Sequence, residues 1–214
     1  MDLTATDDHR HNLKPGEHEA FYFLFTSSDG EAHGFVRTLF DREDEMERFL
    51  TEVCSHDWNL RLDAGRPFDE GIAELVERHP DEAERIRAWR DRWPEMLGGP
   101  IPETVELLRR LHGDRRRLFA LTNWSNETFP IARQRYDFLN WFAYIAVSGE
   151  LGLVKPDPAI FRHLIGRHGV DPARTLFIDD SAVNIRAAAQ LGFATHHFTK
   201  PGLLREQLAG WGLI

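Results

Sequence analysis

Apolar residues change their spacing twice along this chain, and the changes divide it. A polar opening, MDLTATDDHRHNLKPGEHE, gives way to the short aromatic run AFYFLF, suited to a buried strand. TSSDGEAHG then breaks the run, with Asp29 and Gly30 supplying turn geometry. From Phe35 to about Leu97 the spacing is helical: Met46, Phe49, Leu50 and Val53 recur on one face, as do Phe68, Ile72, Leu75 and Val76. Asp81 is expected to N-cap a further helix carrying Ile86, Trp89 and Trp93. GGPIP, residues 98 to 102, closes this block.

Beyond it, helical and strand patterns alternate. A helix with Val105, Leu108 and Leu111 precedes the strand LFALTN. YIAVS is a second strand, PAIFRHLIGRHG a helix stopped by Gly169, TLFIDD a third strand, SAVNIRAAAQLG a Gly-terminated helix, and ATHHF a strand before the last helix. Strands alternating with helices predict parallel pairing with right-handed crossovers, hence an α/β protein with a doubly wound parallel sheet. The expected division is a weakly ordered polar leader at 1–18, an α/β core at 19–34 and 98–214, and a helical insert at 35–97 after the first strand.

Composition narrows the function classes. Of 214 residues, 42% are hydrophobic and 29% charged, which fits a folded globule and not a disordered chain. A formal charge of -9 argues against nucleic-acid binding, and the one dense basic run, Arg115 to Arg117, reads as a solvated connection. Cys54 is the sole cysteine, so an intrachain disulfide and a cysteine metal cluster are excluded and a reducing, cytoplasmic setting is expected. No apolar run nears the roughly 20 residues of a membrane span, and the leader lacks the apolar centre of a signal peptide. Its three histidines have no frame to fix metal geometry. A monomer or homodimer is expected.

In doubly wound sheets ligands bind beyond the carboxyl ends of the strands. Thr122 and Asn123 close LFALTN, Lys155 lies in GELGLVKPDP, and Asp179 and Asp180 close TLFIDD. Taken singly, these are a strand-end hydroxyl, a turn with an exposed lysine, and helix capping. Their joint occurrence at one rim suits a phosphate with a divalent metal: Thr122 donates to phosphoryl oxygen, Lys155 neutralises charge, and an aspartate holds Mg2+. Adjacent strand residues face opposite ways, so one aspartate ligates metal while the other orients the loop. Trp124 is expected beside the site, lining a substrate pocket; Trp58, Trp93 and Trp141 read as packing residues. Of His196 and His197 one points inward and one outward, and neither is assigned chemistry.

LFALTNWS, GLVKPDPAIF and LFIDDSAVNIRAA resemble the second, third and fourth motifs of the haloacid dehalogenase (HAD) superfamily, in family order. WNLRLDAGRPFDEGIAEL and RWPEMLGG resemble its helical cap, in the phosphatase-like branch, so the likeness spans about residues 35 to 214. The resemblance implies a Rossmann-like core, Mg2+, a small phosphorylated metabolite as substrate, and two-step phosphoryl transfer through an aspartyl-phosphate. It implies that Thr122 binds the phosphoryl group, Lys155 steadies nucleophile and phosphate, and Asp180 is the Mg2+ ligand. Asp179 and Asn184 then support the loop, Asn123 and Trp124 meet the substrate, and the cap closes to exclude water. A response-regulator receiver also combines paired aspartates, threonine and lysine, but there the pair belongs to the first strand.

The family's first motif, a strand ending in the nucleophilic aspartate, has no match. Ungapped alignment backwards from FVRTLF puts Tyr22 at the nucleophile's place, where a phenol with pKa near 10 cannot do that work. Extending the strand to Ser28 makes Asp29 the nucleophile candidate, with Glu31 as general acid. Three readings follow: a Mg2+-dependent phosphatase, a non-catalytic relative that holds phosphate and metal, and a metal-free 2-haloacid dehalogenase, which the paired aspartates suit less well.

Overall fold

The structure, a computed structural model, describes residues 20–22 and 36–214. Among the described residues five parallel strands form one sheet: β1 (Ala20–Tyr22), β2 (Arg117–Thr122), β3 (Tyr144–Val147), β4 (Thr175–Asp179) and β5 (Ala194–His197), in the order β3-β2-β1-β4-β5. β1 pairs on both sides, with Tyr22 level with Phe119 and with Phe177. The chain runs outward from β1 to β3, then returns to β4 on the other side. That reversal leaves a crevice at the carboxyl ends of β1 and β4.

β2 and β4 are apolar on both faces because helices cover both. Leu118, Ala120, Leu176 and Ile178 face a layer containing Leu107, Leu108 and Leu111 of α5 (Pro102–Gly113) and Leu204 and Leu208 of α10 (Pro201–Gly210). The intervening Phe119, Leu121 and Phe177 face the opposite layer, with Ile160, Phe161 and Leu164 of α8 (Pro158–His168) and Ala187 and Ala188 of α9 (Ala182–Gln190). Alternation along each strand thus sends neighbouring apolar residues to opposite layers. Burying each large side chain contributes roughly 1.5–3 kcal/mol, so a charge at the end of such a run needs its own partners.

Residues 36–97 form α1 (Glu43–Arg48, continued by a π-helical turn Phe49–Val53), α2 (His56–Asp63), α3 (Phe68–Arg78) and α4 (Ala83–Asp91). They share a separate interior built on Phe49, Trp58, Leu62, Phe68, Leu75, Ile86 and Trp89. The two interiors part between Met96, which joins the helical block, and Leu97, which joins the sheet's packing. Asp81 does not cap α4: it lies in a 3₁₀ turn, Pro80–Glu82, and Glu82 occupies the N-cap without a side-chain bond. Pro80 starts this tighter turn because it needs no amide partner there. Trp93 lies beyond the helix, in a 3₁₀ turn Trp93–Met96, since Pro94 disfavours helical backbone at the preceding residue. The described part of the aromatic run is Ala20–Tyr22; its remainder, Asp29, Glu31 and the polar leader lie outside the described residues. α6 (Phe129–Arg135) follows β2, and the short α7 (Ser148–Leu151) follows β3.

Candidate active site

Three loops leave the carboxyl ends of β2, β3 and β4, and the side chains they carry meet at the crevice. Lys155, on the loop after α7, is 4% exposed, and its Nζ lies 2.8 Å from Asp179 Oδ2. The exposed-turn reading of KPDP therefore does not hold. Burial pulls the Lys155 ammonium below its ordinary pKa, while Asp179 and, more weakly, Asp180 pull it back up.

Asp179 is fully buried and fully engaged. Oδ2 faces Lys155, and Oδ1 accepts from Ser181 N at 2.8 Å and Asn184 Nδ2 at 3.0 Å. Both oxygens already accept from protein donors, so Asp179 is committed to the loop and the lysine, and of the two carboxylates Asp180 is the more open to a metal. The backbone bond to Ser181 also sets the entry to α9, whose N-cap, Ser181, makes no side-chain bond. Asp180, the residue after β4, is exposed, and its carbonyl accepts from His197 Nε2 at 2.8 Å. His196 is buried and His197 exposed, as alternation predicts.

Asn123 has a different occupation from the expected substrate contact. Its Oδ1 accepts from Lys155 N at 2.7 Å and its Nδ2 donates to Lys155 O at 3.0 Å, so the amide clamps both backbone groups of the lysine. Thr122 is buried at the last position of β2, level with Val147 of β3. Trp124 is buried beside it, its backbone amide donating to Ser148 Oγ at 2.8 Å and its indole N-H to Thr128 Oγ1 at 3.1 Å.

The helical block docks onto these same loops. Phe68 N donates to Glu127 Oε1 at 2.8 Å, and Ser148 Oγ donates to Asp63 O. Gly65 has φ +98, and a Cβ there would stand 2.7 Å from Gly149 O. One at Gly149 would stand 2.4 Å from Asn126 N, so Gly65 admits the close approach of α2's end to the loops and Gly149 the approach of α7 to the loop after β2.

Between block and sheet lies a cleft of about 70 Å3 lined by Asn59, Asp63, Phe68, Trp89, Trp93, Asn123, Trp124 and their neighbours. Trp124 lines it as expected; Asp63, Asn59 and Trp89 were not anticipated. Trp89 Nε1 donates to Asn59 Oδ1 at 3.2 Å and Asn59 Nδ2 to Asp63 Oδ2 at 3.2 Å. Loss of hydration raises the Asp63 carboxyl to about 7, against the opposing effect of the Ser125 backbone N-H. The available signal was a polar pair at i, i+4 beside the apolar Trp58 and Leu62 on one helix.

Among the described residues no three His, Cys, Asp or Glu side chains converge into a ready metal site. Mg2+ typically takes one or two protein carboxylates, with waters and substrate phosphate completing its shell. Asp180, exposed at the rim and close enough to bias Lys155, fits that role as a single carboxylate. Tyr22, level with Phe119 and Phe177, stands three residues short of Thr122 and two short of Asp179 in the pairing. The sequence that follows it, Phe23-Leu24-Phe25, carries no carboxylate.

Comparison with known proteins bears on the family and the fold. The family model described as haloacid dehalogenase-like hydrolase matches residues 6–192. Flavin mononucleotide hydrolase 1 of Arabidopsis thaliana is 29% identical over 111 residues, 50% of this chain and 44% of that protein. D-ribitol-5-phosphate phosphatase of Bacteroides thetaiotaomicron is 45% identical over 49 residues, 23% of this chain and 24% of that protein. The chain spans about half or less of the curated relatives it matches. A HAD family enzyme of B. thetaiotaomicron, solved with magnesium and inorganic phosphate, superposes with a TM-score of 0.65 at 20% identity, over 86% of this chain and 96% of that one. L-2-haloacid dehalogenase of Xanthobacter autotrophicus, with chloropropionic acid covalently bound, gives 0.57 at 16% identity, over 91% and 83%.

Proposed function

The chain belongs to the haloacid dehalogenase-like hydrolases, and from that premise we propose that it is a Mg2+-dependent phosphatase acting on a small phosphorylated metabolite. The observation that carries this reading is the buried Lys155–Asp179 pair, clamped by Asn123 and Asn184 at the switch point of the sheet with Thr122 closing the next strand but one. A buried ammonium held in place beside a carboxylate at the rim suits a phosphoryl group and its developing negative charge. The names of relatives, among them the flavin mononucleotide and ribitol-5-phosphate hydrolases, support phosphate monoesters as the substrate class.

In this proposal Thr122 donates to a phosphoryl oxygen and Lys155 stabilises charge on phosphate and nucleophile. Asp179 and Asn123 are positioning residues that hold the lysine, and Asn184 holds Asp179. Asp180 is the protein ligand for Mg2+, which when bound neutralises phosphate charge. Asp29 is the nucleophile candidate: its carboxylate oxygen bonds to phosphorus as the bond to the substrate's oxygen breaks and Glu31 protonates that leaving oxygen; water then attacks phosphorus, Glu31 takes its proton, and inorganic phosphate leaves with the Asp29 carboxylate restored. Trp124 and the cleft beside it take the leaving group.

A second reading rests on one observation, the absence of any carboxylate in AFYFLF. It makes the chain a non-catalytic relative that binds phosphate and metal. Phosphate release from a panel of monoesters, with and without Mg2+, separates the two. Mg2+-dependent turnover lost in Asp29→Asn and in Lys155→Ala supports the phosphatase through Asp29. Turnover indifferent to Asp29→Asn removes that nucleophile, and no release from a folded protein that still binds phosphate establishes the second reading. Release of halide from 2-haloacids without metal would instead place the chain with the dehalogenases.

A further inference from the structure

The cleft between helical block and sheet combines aromatic faces with a single charge. Phe68, Trp89, Trp93 and Trp124 line it, with the rings of Trp93 and Trp124 5.5 Å apart and inclined at 53°. Aromatic side chains attract cations that reach their faces. Asp63 is the ionisable side chain among the described lining residues; none of them is Lys, Arg or His. Asp63 accepts from Asn59 and from the Ser125 amide. Among the described residues it has no ion pair.

The groups on surrounding elements are turned to other tasks. Arg66, past the end of α2, pairs with Glu74 of α3, and Glu127 after β2 accepts from Phe68 N. Glu150 of α7 acts on Tyr144, and Arg90 of α4 pairs with Asp69. The carboxylate therefore faces the cleft with its charge uncompensated. The raised pKa is the expected consequence, since burial strips part of the anion's hydration and no counter-charge among the described residues replaces it.

Most other polar groups in the cleft are already spent. The indole N-H groups of Trp89 and Trp124 go to Asn59 and Thr128, and the Asn123 amide goes to Lys155. A polyol would find few unspent donors and acceptors. A cation needs none of them, because an aromatic lining and one carboxylate can hold it. The volume, about 70 Å3, admits a group of a few heavy atoms.

The geometry points to a subsite for a small ammonium group here, bounded by Trp89, Trp93 and Trp124 and neutralised by Asp63, so that the substrate is an amino-alcohol phosphate. The substrate part of this statement rests on the phosphatase reading; the subsite does not. The test is therefore a binding measurement on the whole chain, followed by tryptophan fluorescence, since three of the lining rings are indoles. Ethanolamine and choline are compared with their neutral counterparts, ethylene glycol and 3,3-dimethylbutanol, at pH 5.5 and 8.5, for the native chain and Asp63→Asn.

The expected result is a preference of about tenfold or more for the ammonium compounds at pH 8.5, falling towards unity at pH 5.5 and in Asp63→Asn. Equal affinity for charged and neutral members, or no binding of either ammonium compound, overturns the subsite. If Asp63→Asn does not fold, the pH comparison on the native chain decides alone. Phosphate release separates the two proposals. Ammonium binding without hydrolysis of ethanolamine phosphate keeps the subsite and removes the reaction; hydrolysis of many monoesters without preference for the cationic ones does the reverse.

Discussion

Lys155 and Asp179 offer a test in which the sign of the effect, not only its size, follows from burial. The ammonium is 4% exposed and the carboxylate 0%, at 2.8 Å. Removing one charge from such a pair strands the other away from water, at a cost of about 3–5 kcal/mol, whereas removing both spares that penalty. Asp179→Asn leaves the ammonium facing an amide and disturbs the acceptor for Ser181 N and Asn184 Nδ2. Lys155→Met leaves a buried carboxylate with those two donors. Each single variant should lose about 3–5 kcal/mol, and the double variant should lose less than the sum by at least about 2 kcal/mol. For a chain of this length each kcal/mol corresponds to about 2–4 °C in Tm, so a single substitution should lower Tm by roughly 6–20 °C. Urea and thermal unfolding of the four proteins, read by near-UV circular dichroism, complete the cycle. Singles that each cost under about 1 kcal/mol and add without coupling would refute the buried-pair argument, because a solvated pair behaves in that way.

Asp180→Asn should leave stability within about 0.5 kcal/mol, since the residue is exposed, yet raise the Mg2+ concentration needed for half-maximal phosphate release at least about tenfold. Asn123→Ala should cost about 1–3 kcal/mol by unpairing Lys155 N and O, and should lower turnover more than it changes KM, as steady-state kinetics will report. Gly65→Ala forces a Cβ to 2.7 Å from Gly149 O at φ +98 and should destabilise by about 1–3 kcal/mol in urea titration, a larger loss than Gly113→Ala, where nothing lies within 4 Å. Asp63, raised from 3.8 to about 7, binds more protons folded than unfolded between those values, so stability should fall as pH rises from about 4 through 7. The loss should be about 1–2 kcal/mol after allowance for partial solvation, and Asp63→Asn should flatten that slope in unfolding curves taken across the range.

The strands TLFIDD and LFALTN were readable in the sequence because a run buried on both faces must be continuously apolar, and their polar ends marked the rim. The glycine stop at Gly169 was readable because φ 63 at a helix end favours that residue. Asp81 misled because a capping residue and a 3₁₀ turn opened by proline share the same local sequence. Asp63 was missed because a carboxylate near a helix end ordinarily faces water; only the sheet's loops and the Trp89 helix closing over it remove that water.

The sequence by itself determined the α/β class, the alternation of strands and helices, and the set of polar groups at the rim: each depends on periodicity and chain ends within one element. Tertiary structure alone decided which of two adjacent aspartates is buried, that Asn123 clamps a lysine, and that the helical block lends Asp63 to the cleft. Those outcomes join residues 24, 32 and 85 positions apart. Hydration and hydrogen-bond partners are set by whatever packs against a side chain, and at such separations no local pattern records it.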